Sequence, residues 1–349
     1  MSAPVAPAAQ PTRVRFSNRM RLRYYSAQNV PLLLSLGLLV VLLVLYYVLF
    51  IAREGRAPGN FELTTTVNNT LTTCLAAMGQ AMVVLTGGID LSVGGIIDMT
   101  NAFAAAHMGT NTSSMIGVSL LVLLLGTGAG LINGLLVAYG RLQPIVVTIA
   151  TLTIYQGVAI EIMNTPGGQI PQSLTDMFSG TIPALGHLPN SLVLLAIVIG
   201  FWQLMRRTPF VATLYAIGND ARAARANGAA IVRTRLCAFA LSGFFSGAAG
   251  LYFATVNTSG DPIAGDTFTL TSIAAVVLGG LSLFGGRGSA LGALIGAFIL
   301  NLILIVLFFT PIDQEYTDLF QGLFLILAVV ASTLVGRLLQ RGRWAARGD

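Results

Sequence analysis

Apolar segments about the length of a bilayer crossing recur along this chain almost from end to end. They fall at 30–51, 66–86, 93–109, 116–138, 144–163, 190–205, 236–256, 267–279, 289–309 and 317–335. About 20 apolar residues span a hydrocarbon core as a helix. A lipid-embedded backbone must satisfy its own hydrogen bonds, so a series of such segments folds as a helical bundle and not as open sheet. The expectation is an all-α polytopic membrane bundle of about ten transmembrane helices, with eight as the lower count. Segments 93–109 and 267–279 are short and read as tilted or broken elements. Only 9% of the residues are charged and 55% are hydrophobic. Soluble domains carry ~25% charged residues, so this chain has too few charges to solvate a globular surface.

The basic residues set an orientation. With the N-terminus inside and ten crossings, every arginine except Arg53 and Arg56 falls on the inner side. The outer segments collect Glu54, Glu62, Asp176, Asp261, Asp266, Asp313, Glu315 and Asp318. This is the positive-inside pattern, and it predicts that both termini are cytoplasmic. Residues 1–29 then form a mostly disordered cytoplasmic tail, with a short surface helix near Arg19–Tyr25. Residues 30–336 form the membrane domain, and 337–349 a second cytoplasmic tail. The loop 164–189 lies outside and the loop 206–235 inside. The pI of 9.7 follows from this topology, and no nucleic-acid partner is expected.

All of the basic residues are arginine; the sequence has no lysine. A P-loop lysine is therefore excluded, and with it a standard nucleotide site in this chain. A Schiff-base lysine is excluded as well. Cys74 and Cys237 read as small buried hydrophobes. His107 and His187 have no partner at metal spacing. The chain shows no convergent nucleophile or acid–base pair and is expected to be non-catalytic, with no cofactor of its own.

The sharpest local signal is Gly87-Gly88-Ile89-Asp90-Leu91-Ser92-Val93-Gly94-Gly95, an acidic, glycine-rich break between apolar segments. A carboxylate at membrane depth costs at least ~2.5 kcal/mol. Asp90 either holds a gate or ties a turn by bonding backbone N–H groups, with Ser92 helping. Gly87, Gly88, Gly94 and Gly95 read as hinge or close-packing positions. Asp98 and Asn101 are three residues apart and share a helix face. They either line a polar path for solute hydroxyls or bond another helix, with Asn133 as a possible partner. Val83–Ser92 also echoes Val276–Leu283, which contains Gly279 and Gly280. Transporters are often built from such repeats.

In the inner loop, Tyr215-Ala216-Ile217-Gly218-Asn219-Asp220 is turn-like. Asn219 or Asp220 can cap a short helix Ala221-Arg222-Ala223-Ala224-Arg225-Ala226, ending at Asn227-Gly228.

Together these motifs resemble the membrane-spanning permease subunits of bacterial ABC importers for monosaccharides, the ribose/xylose/galactose type. The resemblance rests on Gly87–Gly94, Ile149-Ala150-Thr151-Leu152-Thr153-Ile154-Tyr155-Gln156-Gly157, Tyr215–Gly218, Gly279-Gly280 and Gly285-Gly286-Arg287-Gly288-Ser289, in that order. It covers about residues 30–336. It implies a bacterial inner-membrane, multi-pass, non-catalytic subunit that moves a monosaccharide or small polyol by alternating access. Its implied partners are a second permease subunit, an ATP-binding cassette subunit that holds ATP and Mg, and a periplasmic sugar-binding protein. It places a coupling helix near Ala216–Gly228, with Tyr215, Gly218, Asn219, Asp220, Arg222, Ala223, Ala224, Arg225 and Gly228 meeting the ATPase. The family usually has glutamate where Arg222 stands, and small or apolar residues where Asp98 and Asn101 stand. The rival reading is an ion-coupled secondary transporter of a small polar solute, for which Asp90 and Asp98 would be the coupling charges.

Overall fold

The computed structural model describes residues 18–309, with side chains from 31 onward, and isolated positions between 319 and 330. The segment 317–335 and the tail 337–349 fall largely or wholly outside the described residues, as do residues 1–17. Helix α1 runs Asn18–Glu54, α2 Asn60–Val84, α3 Val93–His107, α4 Thr112–Ala138 and α5 Pro144–Ile162. Then come α6 Gln172–Ser179, strands β1 Thr181–Ile182 and β2 Leu188–Pro189, α7 Asn190–Met205, α8 Pro209–Asn219 and α9 Ala221–Ala226. The described chain closes with α10 Ile231–Asn257, α11 Asp266–Leu278 and α12 Ala290–Phe308. The chain is an all-α bundle; β1 and β2 form one antiparallel pair of two residues each.

The predicted apolar segments coincide with these helices wherever they are described. Among the described residues, five helices are long and apolar enough to cross a membrane: Pro31–Glu54 of α1, then α4, α5, α10 and α12. The pair α7 and α8, bent by 78°, makes a possible sixth. Three further segments fall short for physical reasons. Helix α3 has 15 residues and α11 has 13; at 1.5 Å per residue they reach only about 20 Å. Helix α2 is long, but its first half is rich in Thr and Asn. That polar half, Asn60–Asn69, is mostly exposed or half-buried, while the helix is buried without a break from Thr70 to Val84.

Helix α2 is thus the axis of the bundle, packed by α10, α12, α11 and α7. The largest apolar cluster gathers Leu71, Met78 and Met82 of α2 with Trp202, Phe245, Leu294 and Ile299. Among the described residues the most extensive helix pairing is α4 with α10. Gly126 and Gly130 face Gly243 and Gly247, and a methyl group on Gly130 would fall 2.9 Å from the Gly243 Cα. Small residues four apart let helix backbones approach closely in a bilayer. The outer flanks of α1, α4 and α5 expose Val41, Val44, Leu120, Leu124, Val146 and Ile154, which suits contact with lipid.

Three local expectations need correction. Helix α1 starts at Asn18, so part of the 1–29 tail is continuous helix and the Arg19–Tyr25 helix belongs to it. Tyr215–Asn219 is the last turn of α8, not a loop turn. Pro209 presets the first helical φ, and Val211, Leu214 and Ile217 bury one face at helical spacing. Cys237 is exposed, while Cys74 is buried.

Candidate functional site

The glycine break ends α2 with a tight reversal. Gly88 N–H donates to Val83 O, Gly87 N–H donates to Val84 O, and Gly87 has φ +80°. The same geometry ends α11, where Leu281 N–H donates to Val276 O, Gly280 N–H donates to Val277 O, and Gly280 has φ +82°. This is the Schellman helix stop, which needs a left-handed residue and so favours glycine. The sequence echo between Val83–Gly88 and Val276–Leu281 is therefore also an echo of local structure, in the same register.

Beyond the reversal, Asp90 forms a sealed knot. Its Oδ1 accepts from Ser92 N–H at 3.0 Å and from Ser92 Oγ at 2.6 Å, and its Oδ2 accepts from Ser242 Oγ of α10 at 2.8 Å. Asn133 Nδ2 of α4 donates to Ser92 Oγ at 2.7 Å. Tyr155 of α5 donates to Ala129 O at 2.9 Å beside it. Asp90, Ser92, Asn133 and Ser242 all have 0% exposure. A buried carboxylate must have both oxygens satisfied. Here one loop residue satisfies that rule by tying α4 and α10 to the entry of α3. Thr148 adds a further tie, accepting from Leu91 N–H at 3.0 Å.

Asn133 therefore belongs with Ser92; Asp98 and Asn101 hold something else. Asn101 Oδ1 accepts from Asp261 N–H at 2.7 Å, and Asp98 Oδ1 accepts from Gly265 N–H at 2.5 Å. The two side chains, one face of α3, clamp the segment that leads into α11. Gly94 lies against Gly265 and Thr269 in the same seam. Among the described residues, Asp98 Oδ2 and Thr269 Oγ1 are buried there with no hydrogen-bond partner. Gln156 of α5 donates to Asp266 next to it. Gly95 packs on Leu152 and Tyr155, Gly88 on Pro144, and Gly279 on Gly292 of α12.

A third cluster sits where α8 ends. Tyr215 Oη donates to Gly288 O at 2.6 Å, and Asn219 Nδ2 donates to Gly286 O at 3.1 Å. Gly286 N–H donates to Leu85 O at 3.1 Å. Gly218 has no room for a side chain, because Leu85 O and the Gly285–Gly286 backbone occupy that space. The ends of α2 and α8 thus meet on the loop between α11 and α12. Asp220 caps α9, accepting from Arg222 N–H at 2.8 Å and Ala223 N–H at 3.1 Å. These N–H groups hold its carboxyl below the ordinary carboxylate range, that of Ala223 most strongly. Ala224 is buried against Ile217 and Ile231, while Arg222, Ala223 and Arg225 face outward. The helix ends at Ala226, and the chain turns at Gly228, whose N–H donates to Arg225 O.

The sequence reading does not single out Ser242, the partner of Asp90, nor Thr148 and Tyr155 beside the knot. The available signal was Ser242-Gly243 and Ser246-Gly247, small polar residues one turn apart on an apolar helix.

Long apolar helices around sealed polar knots make this a multi-pass integral membrane protein. The chain belongs to the family described as branched-chain amino acid transport system / permease component, whose model matches residues 63–329. It is similar to the ribose import permease protein RbsC of Haemophilus influenzae, 33% identical over 288 residues, covering 80% of this chain and 88% of the relative. It is also similar to RbsC of Bacillus subtilis, 36% identical over 261 residues, covering 73% and 80%. The autoinducer 2 import system permease protein LsrC of Enterobacter sp. (strain 638) is 37% identical over 272 residues, covering 76% of each chain. These relatives uphold the resemblance read from the motifs. No solved structure matches the chain.

Proposed function

We propose that this chain is the membrane-spanning subunit of an ATP-driven importer in a bacterial inner membrane. It passes a monosaccharide or similar small polyol inward by alternating access, as about ten crossings with cytoplasmic ends. A second permease subunit completes the path, a periplasmic sugar-binding protein delivers the solute, and a separate cassette subunit binds ATP and Mg. Import permeases for ribose and for autoinducer 2 among the relatives support the solute class.

The observation that carries the reading is the joint of α8 and α9 with the end of α2 and the loop between α11 and α12. A push on α9 reaches Ala224, then Ile217 and Gly218, and from there Leu85, Gly286 and Gly288. Every step is a packed or hydrogen-bonded contact, so the helix cannot move alone. In this reading Arg222, Ala223 and Arg225 meet the ATPase, and an arginine at 222 calls for an acidic groove on it. Asp98 and Asn101 set the position of the segment that opens toward α11, and glycine seams such as Gly94 on Gly265 let it slide.

The test is gentle purification of the tagged protein from its native membrane, with identification of what accompanies it and an assay of ATP hydrolysis. A stoichiometric subunit with a P-loop lysine, stimulated by a periplasmic binding protein, is the expected result. Repeated recovery of an intact, transport-competent chain without such a subunit would overturn the proposal.

A further inference from the structure

The same end of the bundle holds a cavity of about 440 Å³ lined by Arg141, Arg225, Ala229, Ala230, Ile231, Val232 and Arg233. Its charged lining is entirely arginine. None of the three is in an ion pair among the described residues, where the one salt bridge is Arg56 with Glu62. The nearest acid in sequence, Asp220, is committed to the α9 cap. No other acid lies between Asp176 and Asp261. No acid among the described residues neutralises these three arginines, so an anion in the cavity would be attracted by each of them.

The setting narrows the anion. Arg141 lies in the turn between α4 and α5, two helices with lipid-suited outer faces. Its neighbours Tyr139 and Leu142 are 64% and 50% exposed, and exposed Tyr is typical of the membrane–water boundary. Arg141 holds φ +54°, a conformation that a non-glycine residue adopts at some cost. The remaining wall, Ala229, Ala230, Ile231 and Val232, is apolar. A phosphate with an apolar body beside it matches all of this: arginine takes phosphate in a fork, and basic pockets at the inner boundary of a helix bundle suit anionic headgroups.

We infer that Arg141 and Arg233 form a binding site for the phosphate headgroup of an anionic phospholipid, with the exposed Arg225 at its edge left to the ATPase. The site links the α4–α5 turn to the base of α10, beside α9. This inference does not depend on which solute is carried.

The test uses the full-length protein in maltoside micelles, titrated with phosphatidylglycerol or phosphatidylcholine and read by native mass spectrometry. Wild type should bind phosphatidylglycerol selectively. Removing two arginines in R141Q/R233Q should weaken that binding roughly thirtyfold, and R141K/R233K should keep most of it. R207Q, outside the cavity, should match wild type. Equal binding of both lipids by wild type, or unchanged phosphatidylglycerol binding by R141Q/R233Q, overturns the site. Glycerol phosphate competing at the same concentration as the lipid would make the occupant a soluble ester and overturn the lipid assignment. If the double variant is not monodisperse, R233Q alone takes its place with the same outcomes.

Discussion

Replacing Asp90 by alanine removes the acceptor of three hydrogen bonds at a site with no exposure. Two of the donors are hydroxyls that can turn. Ser242 can donate to its own helix, and Ser92 can seek another acceptor. The third, Ser92 N–H, has a fixed direction and is left bare. Hydrogen bonds between membrane helices average ~0.6 kcal/mol and reach ~1.7, while a buried unsatisfied donor costs ~1–3 kcal/mol. Three lost bonds and one orphan donor sum to roughly 3 kcal/mol. Asp90→Asn keeps one oxygen for Ser92 and turns an NH₂ toward Ser242 Oγ, which can accept; its cost should be ~1 kcal/mol or less. The assay is the fraction of monodisperse protein after stepped heating in detergent, paired with solute uptake in cells. Asp90→Ala should lose its sharp elution peak several degrees below wild type. Asp90→Asn should stay near wild type in both readouts. The double variant Asp90→Ala/Ser242→Ala should be less destabilised than the two single effects added, because the pair shares one bond. An Asp90→Ala protein as heat-stable as wild type would refute the knot. An Asp90→Asn protein of full stability and no uptake would make Asp90 a gate.

Other consequences are as direct. Gly130→Leu should break the α4–α10 seam and leave little folded protein by size exclusion. Gly128→Leu, with nothing within 4 Å, should elute normally. Ala224→Trp overfills the space among Ile217, Ala224 and Ile231, so the protein should insert in the membrane but fail in uptake; normal uptake would sink the coupling role of α9. The Asp220 cap has a definite pH sense. Its folded pKa is depressed, so its contribution is complete above the ordinary carboxylate range and is lost as pH falls through the folded value. Amide exchange at Arg222 and Ala223 should be protected at pH 7 and lose that protection in strong acid, and Asp220→Ala should abolish the difference.

Periodicity and length made the bundle legible, because a segment such as 190–205 leaves a helix as the only economical choice for its backbone. Pro144 and Pro209 both begin helices, yet only the first was read that way. The run after Pro209 is apolar on one side only and sits among arginines, which masks it as loop. The knot at Asp90 was legible as a turn through Ser92, two residues away. Its third bond comes from Ser242, on a helix 152 residues later, and no local pattern encodes which serine closes such a contact. Asn133 reads from the sequence as a possible partner of Asp98 or Asn101, whereas in the structure it donates to Ser92. Asp98 and Asn101 in fact hold backbone N–H groups of a loop, a partner type that leaves no side-chain signature in sequence.

The most direct measurement is solute uptake by proteoliposomes holding this chain with its copurified partners, with ATP supplied and every ion gradient dissipated. The account predicts uptake that needs ATP and the binding protein and that uncouplers leave unchanged. Uptake that needs an ion gradient, and proceeds without ATP, would contradict it.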